Sequence, residues 1–295
     1  MKGYVATIGM FDGVHIGHQF VLRQVIEMAR QRSLGAMAIT FDRQQAPQLT
    51  PLAEKRMLLT QAGIDHVEVL VFDEALRQMT AYDFMHQVLK EQLNVKVLMT
   101  GYDNRFGHNR IEGFDDYVRY GKELGIEVKS LPPAPSQGNG CIASSSLIRQ
   151  LIVNGNISKA DELLGHPYTI VGCVEHGEHI GTRLGFPTAN IVVDSQCQLI
   201  PSPGVYAVKV RLDDSVEQKN AMMNIGTRPT FDGHQMTLEV HVLRLHKDLY
   251  GHQLTVSFYD RLRDERRFNT IEELKVQLQN DVIQTEALLN QTITL

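Results

Sequence analysis

Two histidines near the start of the chain, His15 and His18, have the spacing and the surroundings of a phosphate site. They lie in the segment Gly9 to His18, which follows a short apolar run and leads into a predicted helix. Residues three apart share one face of a helix, and the free N–H groups of a helix N-terminus favour a bound phosphate. Donors aimed at a reacting α-phosphate stabilise the charge that builds in its transition state. The pattern therefore predicts nucleotidyl transfer from a nucleoside triphosphate, with surface histidines or a metal site as alternatives.

Two further segments carry groups that could complete this site. Ser144 to Ser146 stand at the start of a predicted helix, where hydroxyl groups can hold phosphate oxygens, and Arg149 can bind a leaving pyrophosphate as a bidentate donor. Helix capping alone is the competing interpretation. The stretch Gly101 to Gly107 follows a predicted strand, and the carboxylate of Asp103 could bind a ribose, a base or a second substrate. A solvated loop is the alternative there.

A second set of polar residues lies in the second half of the chain. Thr188 and Asn190 are two residues apart at the start of a predicted strand, so alternation places them on one face. Their neutral oxygens suit Mg²⁺, which takes the rest of its shell from water and nucleotide phosphates. Glu239 sits in an apolar run, where a carboxylate is costly unless it has a partner or a task such as general base for a hydroxyl nucleophile. An outward-facing, solvated Glu239 is the alternative.

The first half of the chain alternates short apolar runs with helical patterns. Continuous apolar runs of this length suit parallel strands that are covered on both faces. The pattern predicts a doubly wound parallel α/β sheet, whose ligands bind beyond the carboxyl ends of the strands. The predicted strands are Tyr4 to Ile8, Ala36 to Phe41, Val67 to Phe72, Val95 to Thr100 and Ile126 to Leu131.

The second half changes to a β pattern and ends in a helix. Six short strands with few intervening helices predict an antiparallel barrel or sandwich. The closing helix has Thr270 at its cap, with Glu273 at the reciprocal capping-box position. The predicted strands are Thr169 to Glu175, Ala189 to Val193, Val205 to Leu212, Asn220 to Asn224, Met236 to Leu243 and Leu254 to Leu262.

The predicted domains are an N-terminal nucleotidyltransferase domain of residues 1–157, a linker helix of residues 158–166 and a β domain of residues 167–295. The chain has 295 residues, of which 43% are hydrophobic, and a formal net charge of −5, which indicates a globular protein without a basic surface for nucleic acid. We see no signal sequence or apolar run long enough to span a membrane, and the three cysteines form no CxxC motif. We expect a cytoplasmic protein that binds small molecules and neither nucleic acid nor membranes, and the sequence leaves its oligomeric state open.

Short motifs in both halves occur in one order along nearly the whole chain. In the first half they are Phe11 to His18, Thr40 to Asp42, Gly101 to Gly107 and Ser144 to Arg149. In the second half they are Gly185 to Asn190, Gly204 to Tyr206, Asn224 to Gly226, Pro229 to Phe231, Glu239 to His241, Asp248 to Gly251 and Arg263 to Phe268. Together they resemble the bacterial bifunctional riboflavin kinase/FAD synthetase family. The resemblance implies that a C-terminal β-barrel domain phosphorylates riboflavin with ATP and that the N-terminal domain adenylylates the resulting FMN to FAD.

The resemblance also implies roles for single residues. The implied catalytic residues are His15, His18, Arg149 and Glu239. The implied ATP- and phosphate-binding residues are Gly9, Phe11, Gly17, Asp103, Ser145, Ser146, Arg149, Gly181 and Thr188. The implied Mg²⁺ ligands are Thr188 and Asn190, and the implied flavin-binding residues are Arg263 and Phe268. ATP would be the co-substrate, with FMN as intermediate and FAD as product.

The chain departs from the family pattern in three places. Residues 43–45 read Arg-Gln-Gln in place of the usual Pro-His-Pro, Asn104 replaces an aromatic residue, and Thr182 stands where a basic residue is usual, with Arg183 one position later. Two rival functions remain open. One is a nucleotidyltransferase for another phosphorylated small molecule, with a β domain that only binds substrate or regulates. The other is a flavin- or nucleotide-binding module without catalysis.

Overall fold

The computed structural model describes residues 2–42, 47–101, 104–132, 142–175, 185–194, 197–213, 215–230, 233–245 and 247–291. The chain divides into two units, Met1–Ala46 with Thr50–Ser144 and Pro47–Leu49 with Ser145–Leu295. The predicted boundaries after residues 157 and 166 stay predictions. The site residues Asp103 and Gly181 lie outside the described residues, as do the family departures at positions 43–45, 182 and 183.

The first unit is a five-stranded sheet with helices on both faces. Its strands are β1 (Tyr4–Ile8), β2 (Gly35–Asp42), β3 (His66–Val71), β4 (Val95–Gly101) and β5 (Glu127–Leu131). Its helices are α1 (Ile16–Arg32), α2 (Leu52–Gln61), α3 (Glu74–Gln78), α4 (Ala81–Asp83), which continues as a π-helical segment (Phe84–Gln92), a 3₁₀ turn (His108–Arg110) and α5 (Phe114–Leu124). The strand order is β3-β2-β1-β4-β5 and every neighbouring pair is parallel, which confirms the doubly wound prediction.

Successive strand residues pack on opposite faces of this sheet. Ile8 and Met37 belong to a core cluster with residues of the π-helical segment and α5, whereas Val5 and Ala36 belong to a second cluster with residues of α1 and α2. A strand buried on both faces is a continuous apolar run, which is why the predictions for β1, β2 and β4 agree closely with the structure. The carboxyl ends of β1, β2 and β4 meet at one edge, where ligands of such sheets bind.

The second unit is built on a closed antiparallel barrel. It begins with α6 (Ser145–Val153) and α7 (Ile157–Leu164). Its strands are β6 (Thr169–Glu175), β7 (Ala189–Val192), β8 (Gly204–Leu212), β9 (Gln218–Thr230), β10 (Gly233–Val242) and β11 (Gln253–Arg263). The strand order around the barrel is β10-β7-β6-β11-β8-β9, and all pairs are antiparallel. The barrel prediction is confirmed, and the alternative of a sandwich is wrong.

Strand β9 is much longer than the sequence predicts. The predicted strand ends at Asn224, because Gly226 and Pro229 are typical turn formers. In the structure β9 continues to Thr230 and pairs with β10 along its length, from Ala221 opposite Val242 onward. Pairing with a neighbour distant in sequence therefore outweighs the local turn preference.

The last helix, α8 (Ile271–Gln291), is capped nearly as predicted. Thr270 Oγ1 accepts a hydrogen bond from the Glu273 N–H at 3.1 Å, while the Glu273 carboxylate accepts from Asn269 N–H at 3.0 Å, one residue before the expected donor. Its buried face carries Leu289 and also the polar residue Asp281, which has no exposed surface. No helix in the described part of the chain is both long and apolar enough to cross a membrane.

Candidate active sites

The two histidines of the first site stack against each other at the start of α1. We call residues 9–14, which precede them, the phosphate loop. His15 is the N-cap residue, and its Nδ1 accepts a hydrogen bond from the His18 backbone N–H at 3.4 Å. The imidazole centroids are 3.7 Å apart, with 20° between the ring planes. The structure thus brings the predicted pair together. The backbone N–H of His18, which the sequence predicts to be free for phosphate, instead donates to His15.

The phosphate loop has an unusual backbone that the rest of the unit holds in place. Phe11, Gly13 and Val14 have positive φ angles of 48°, 85° and 39°, a region that residues other than glycine rarely adopt. Thr50 braces the turn, because its Oγ1 accepts from the Gly13 N–H at 2.7 Å and its own N–H donates to Asp12 Oδ1 at 3.3 Å. These bonds fix the direction in which the chain enters α1.

The small and aromatic residues of this segment shape the histidine pair. A Cβ atom on Gly17 would lie only 3.1 Å from Nδ1 and Cε1 of His15. Phe11 meets His18 edge-on, with ring centroids 5.3 Å apart, and a Cβ atom on Gly9 would lie 3.1 Å from the Phe11 ring. Gly9, Phe11 and Gly17 therefore lie where substitution would displace the imidazoles.

Burial keeps both imidazoles neutral at pH 7. It lowers the pKa of His15 to about 4, from the ordinary value of 6.5. The pKa of His18 is lowered well below the ordinary value, chiefly by burial and further by electrostatic repulsion from a protonated His15 and from Lys55. Because neutral His15 accepts a hydrogen bond at Nδ1, its proton is on Nε2. His15 can therefore offer Nε2–H as a donor to a phosphate oxygen.

Lys55 on α2 is a member of this site that the sequence did not reveal. Its side chain has no exposed surface, and its Nζ makes no hydrogen bond with any described residue. Burial lowers the pKa of Lys55, against the opposing attraction of Asp12 and Asp42. The one signal in the sequence is that Lys55 precedes Leu59 by four residues, so a charged residue occupies the buried face of α2.

An aromatic cavity of about 170 Å³ opens beside the phosphate loop, within the first unit. Phe41 and Phe72 meet edge-on in its wall, with ring centroids 5.7 Å apart. These rings suit a flat heteroaromatic ligand. The cavity is also lined by Arg77, Arg105 and Arg110, which suit an anionic substituent on that ligand. From the sequence, Phe41 is only a core residue of a strand, because the rings come from segments far apart in the chain. The lining residues are Ile8, Gly9, Met10, Phe41, Phe72, Leu76, Arg77, Met79, Phe84, Asn104, Arg105, Phe106, Gly107 and Arg110.

The predicted loop after β4 forms part of this cavity. Asn104, which replaces an aromatic residue of the family, donates its side-chain N–H to the backbone oxygen of Ile8 at 3.1 Å. Phe106 stacks on Tyr117 with ring centroids 4.0 Å apart. Asn104 therefore ties this loop to the end of β1.

Ser145, Ser146 and Arg149 belong to the second unit. Ser145 and Ser146 form the first turn of α6. Arg149 Nη1 donates to the backbone oxygen of Pro47 at 2.5 Å. A role for these three residues in holding a triphosphate stays a prediction.

In the barrel, strand register places Glu239 beside two asparagines. Glu239 on β10 is paired with Asn190 on β7 and with Asn224 on β9. Residues directly opposite each other on antiparallel strands point to the same face, with Cβ atoms about 5 Å apart. Thr188 lies one residue before β7 and lines the same cavity as Glu239. The predicted base and the predicted metal ligands therefore share one side of the barrel wall.

This barrel cavity has a volume of about 300 Å³ and mixes apolar and charged walls. His241 lies within it, with Nδ1 2.7 Å from the Pro187 oxygen, and Phe186 meets the His241 ring edge-on at 5.5 Å. The lining residues are Phe186, Thr188, Val205, Met222, Asn224, Glu239, His241, Arg263, Glu265, Arg266, Phe268, Leu274 and Leu278.

Arg263 and Phe268, the predicted flavin-binding residues, both line the barrel cavity. The Arg263 guanidinium forms a bidentate ion pair with Asp281, with Nε 3.0 Å from Oδ1 and Nη2 2.7 Å from Oδ2. Arg266 lies over the Phe268 ring, 4.7 Å from its centre. Arg263 therefore ties β11 to α8, a role that the sequence did not indicate, and direct contact of either residue with flavin stays a prediction.

Comparisons with known proteins cover both halves of the chain. The FAD synthetase family model matches residues 1–146 and the riboflavin kinase family model matches residues 164–289. The bifunctional riboflavin kinase/FMN adenylyltransferase of Escherichia coli K12 is 39% identical over 95% of this chain and 91% of its own length. The protein of the same name from Bacillus subtilis is 32% identical over 94% of this chain and 90% of its own.

One solved structure has the same architecture over nearly the whole chain. It is titled as a macrolide-efflux protein from Streptococcus pneumoniae and superposes with a TM-score of 0.86. It is 30% identical and covers 97% of this chain and 95% of its own. The two-domain order is therefore found in a homologous solved structure.

Proposed function

Because the chain belongs to the family of bifunctional riboflavin kinases/FMN adenylyltransferases, we propose that its two sites divide the two reactions of that family. The C-terminal domain phosphorylates riboflavin to FMN, and the N-terminal domain adenylylates FMN to FAD, with ATP as the substrate of both. The observation that carries the site assignment is the stacked, neutral His15–His18 pair beside an aromatic cavity. A cytoplasmic location fits the use of ATP in both steps.

In adenylyl transfer, a phosphate oxygen of FMN attacks the α-phosphorus of ATP. One P–O bond forms, the bond from the α-phosphorus to the α–β bridging oxygen breaks, and pyrophosphate leaves. We assign His15 Nε2–H and the His18 ring to the oxygens of the α-phosphate, where they stabilise the developing charge without a covalent intermediate. In this proposal Ser145, Ser146 and Arg149 hold the β- and γ-phosphates.

We assign the aromatic cavity to the isoalloxazine ring of FMN. Its phenylalanines offer faces and edges to a flat ring, and it begins at Gly9 and Met10 of the phosphate loop. A flavin ring seated there has its phosphate chain directed along the loop toward the histidines. The arginines of the rim, Arg77, Arg105 and Arg110, carry the charge that an anionic substrate requires.

Replacing Phe72 with alanine tests this cavity. Phe72 is 39% exposed, so its removal leaves the core intact while taking one ring from the proposed flavin wall. We expect the KM for FMN in FAD formation to rise about tenfold, from the lost apolar contact, with riboflavin phosphorylation unchanged. Val71→Ala is the matched control, since Val71 is adjacent and 68% exposed. An unchanged KM for FMN in Phe72→Ala would place the flavin elsewhere.

In the barrel we assign Glu239 as general base. Its carboxylate takes the proton of the ribityl 5′-hydroxyl, whose oxygen attacks the γ-phosphorus of ATP, and ADP leaves. Apolar neighbours in the strand, Leu238 and Val240, are buried on the other face of β10 and hold the Glu239 side chain toward the cavity. Proton transfer to Glu239 and phosphoryl transfer from ATP then take place in the same cavity.

The donor set around Glu239 fits Mg²⁺. The Thr188 hydroxyl and the Asn190 amide offer neutral oxygen ligands, which Mg²⁺ accepts beside water and nucleotide phosphates. We propose that Thr188 and Asn190 bind Mg²⁺ together with ATP. When bound, the ion neutralises charge on the nucleotide phosphates.

The lowered pKa of His15 predicts how stability responds to pH. The unfolded chain binds a proton near pH 6.5, whereas the folded protein binds it only near pH 4, so this contribution to stability is present above pH 6.5 and is lost as pH falls toward 4. When the pH is lowered from 7 to 5, we expect the free energy of unfolding of His15→Gln to fall by about 2 kcal/mol less than that of the parent. Urea unfolding at the two pH values measures this difference. His86→Gln, at an exposed histidine of the same unit, is the control. Equal losses in parent and His15→Gln would contradict a buried, neutral His15.

A further inference from the structure

Lys55 is a buried charged residue near the first site, and the proposed chemistry does not yet explain its burial. Its side chain is 0% exposed. Within the described part of the chain, its Nζ forms neither a hydrogen bond nor an ion pair. An ammonium group removed from water without a direct partner is costly, so the site must recover that cost in another way.

The charged groups that face Lys55 come from the loops of the site. Asp12 belongs to the phosphate loop and Asp42 ends β2, and both carboxylates attract the Lys55 ammonium group. His18 is close enough for the Lys55 charge to disfavour its protonated form. The N-terminal end of α2 is joined to the phosphate loop by the two hydrogen bonds of Thr50. Lys55 therefore lies within electrostatic reach of His18 and of the phosphate loop, on a helix whose preceding residue Thr50 is bonded to that loop.

Two carboxylates, Asp12 and Asp42, attract the Lys55 ammonium group, yet among the described residues its Nζ hydrogen-bonds to neither of them. An ammonium group without a directly bonded counter-charge produces a positive potential around it. In a buried site of low dielectric constant this potential extends farther than it would in water. Anionic phosphates arriving at the phosphate loop are the natural counter-charge for it.

We propose that Lys55 is a positioning residue for adenylyl transfer: a fixed positive charge beneath the phosphate loop that orients the His15–His18 pair and favours the negative charge on the α-phosphate. This inference rests on the proposed function of the histidine pair. Because Lys55 has no exposed surface, it acts through the loop and through His18 rather than by touching ATP. Its effect should therefore fall on kcat more than on KM.

The test compares Lys55→Met, which keeps the length but removes the charge, with Lys55→Arg, which keeps the charge. Arg56→Met is the matched control, because Arg56 is an exposed cation on the same helix. Each variant is assayed for FMN-to-FAD conversion and, in the same preparation, for riboflavin phosphorylation. Histidine ring signals are followed by NMR across pH.

We expect Lys55→Met to lower kcat for FAD formation about 10- to 100-fold, with less change in KM and with riboflavin phosphorylation unaffected. The His18 signal should begin to titrate at higher pH, since a neighbouring positive charge has been removed. Lys55→Arg should recover most of the loss, and Arg56→Met should match the parent.

Two results would overturn the inference: full FAD formation by Lys55→Met, or equal losses in Lys55→Met and Lys55→Arg, which would indicate packing rather than charge. If Lys55→Met does not fold, Lys55→Gln replaces it. Failure of both uncharged variants to fold beside a folded, active Lys55→Arg would make the charge a requirement of folding and would also overturn the inference. The proposed site itself fails separately, if His15→Asn keeps full FAD formation.

Discussion

FAD formation from FMN is expected to fall about 10²- to 10³-fold in kcat when His15 is replaced by asparagine, while riboflavin phosphorylation continues at the parent rate. His15 is 6% exposed and neutral at pH 7, so its Nε2–H is a preoriented donor that costs no reorganisation when charge develops on the α-phosphate. Removal of one such donor is the reason for the size of the expected loss. Chromatography of flavins after incubation with FMN, ATP and Mg²⁺ measures it.

Asparagine separates the chemical role of His15 from its role in the helix. Nδ1 of His15 caps α1 by accepting the His18 N–H, and a side chain that cannot cap costs about 1 kcal/mol of stability. Asparagine is a good N-cap residue, so His15→Asn should melt close to the parent, whereas His15→Ala should lose both the cap and the activity. His66→Asn, at an exposed histidine of the same unit, is the control. A fully active His15→Asn would show that the imidazole has no part in adenylyl transfer.

How much of this site the sequence could predict depends on the distance between its parts along the chain. His15, His18 and Gly17 are neighbours in sequence, and strand, loop and helix follow one another, so the pattern indicates their arrangement directly. Lys55 and Asp42 reach the site from other elements, and the burial of Lys55 depends on how α2 packs on the sheet. No local pattern separates such a lysine from an exposed one.

The distance along the chain between interacting parts also decides which strands could be predicted from the sequence. Strands such as β1 and β4 are covered on both faces, and their unbroken apolar runs made their bounds predictable to within a residue. In the barrel, by contrast, β9 contains Gly226 and Pro229, and it is held as a strand by β10. The aromatic cavity was missed for a related reason, because Phe41 and Phe72 leave separate strands and meet only in space.

Replacing Glu239 with glutamine is expected to lower riboflavin phosphorylation by about 10²- to 10⁴-fold in kcat, with FMN-to-FAD conversion unchanged. Glutamine keeps the shape and the strand pairing with Asn190 and Asn224, and it removes the negative charge together with the ability to take a proton. Riboflavin supplied with ATP and Mg²⁺ should therefore remain unconverted, while added FMN is still converted to FAD. Persistence of FMN formation in Glu239→Gln would remove the proposed base.

Glu217→Gln provides the control for Glu239→Gln. Glu217 belongs to the same unit but is on the surface, where its carboxylate pairs with Lys219 at 2.6 Å, so its neutralisation removes one negative charge without touching the barrel cavity. The two active-site variants also serve as controls for each other. Glu239→Gln should keep FAD formation, which His15→Asn loses, and His15→Asn should keep riboflavin phosphorylation, which Glu239→Gln loses. If both variants lost both activities, the reactions would not be divided between the two sites. Separate losses, each with its partner reaction intact, would assign phosphoryl transfer to the barrel and adenylyl transfer to the histidine pair.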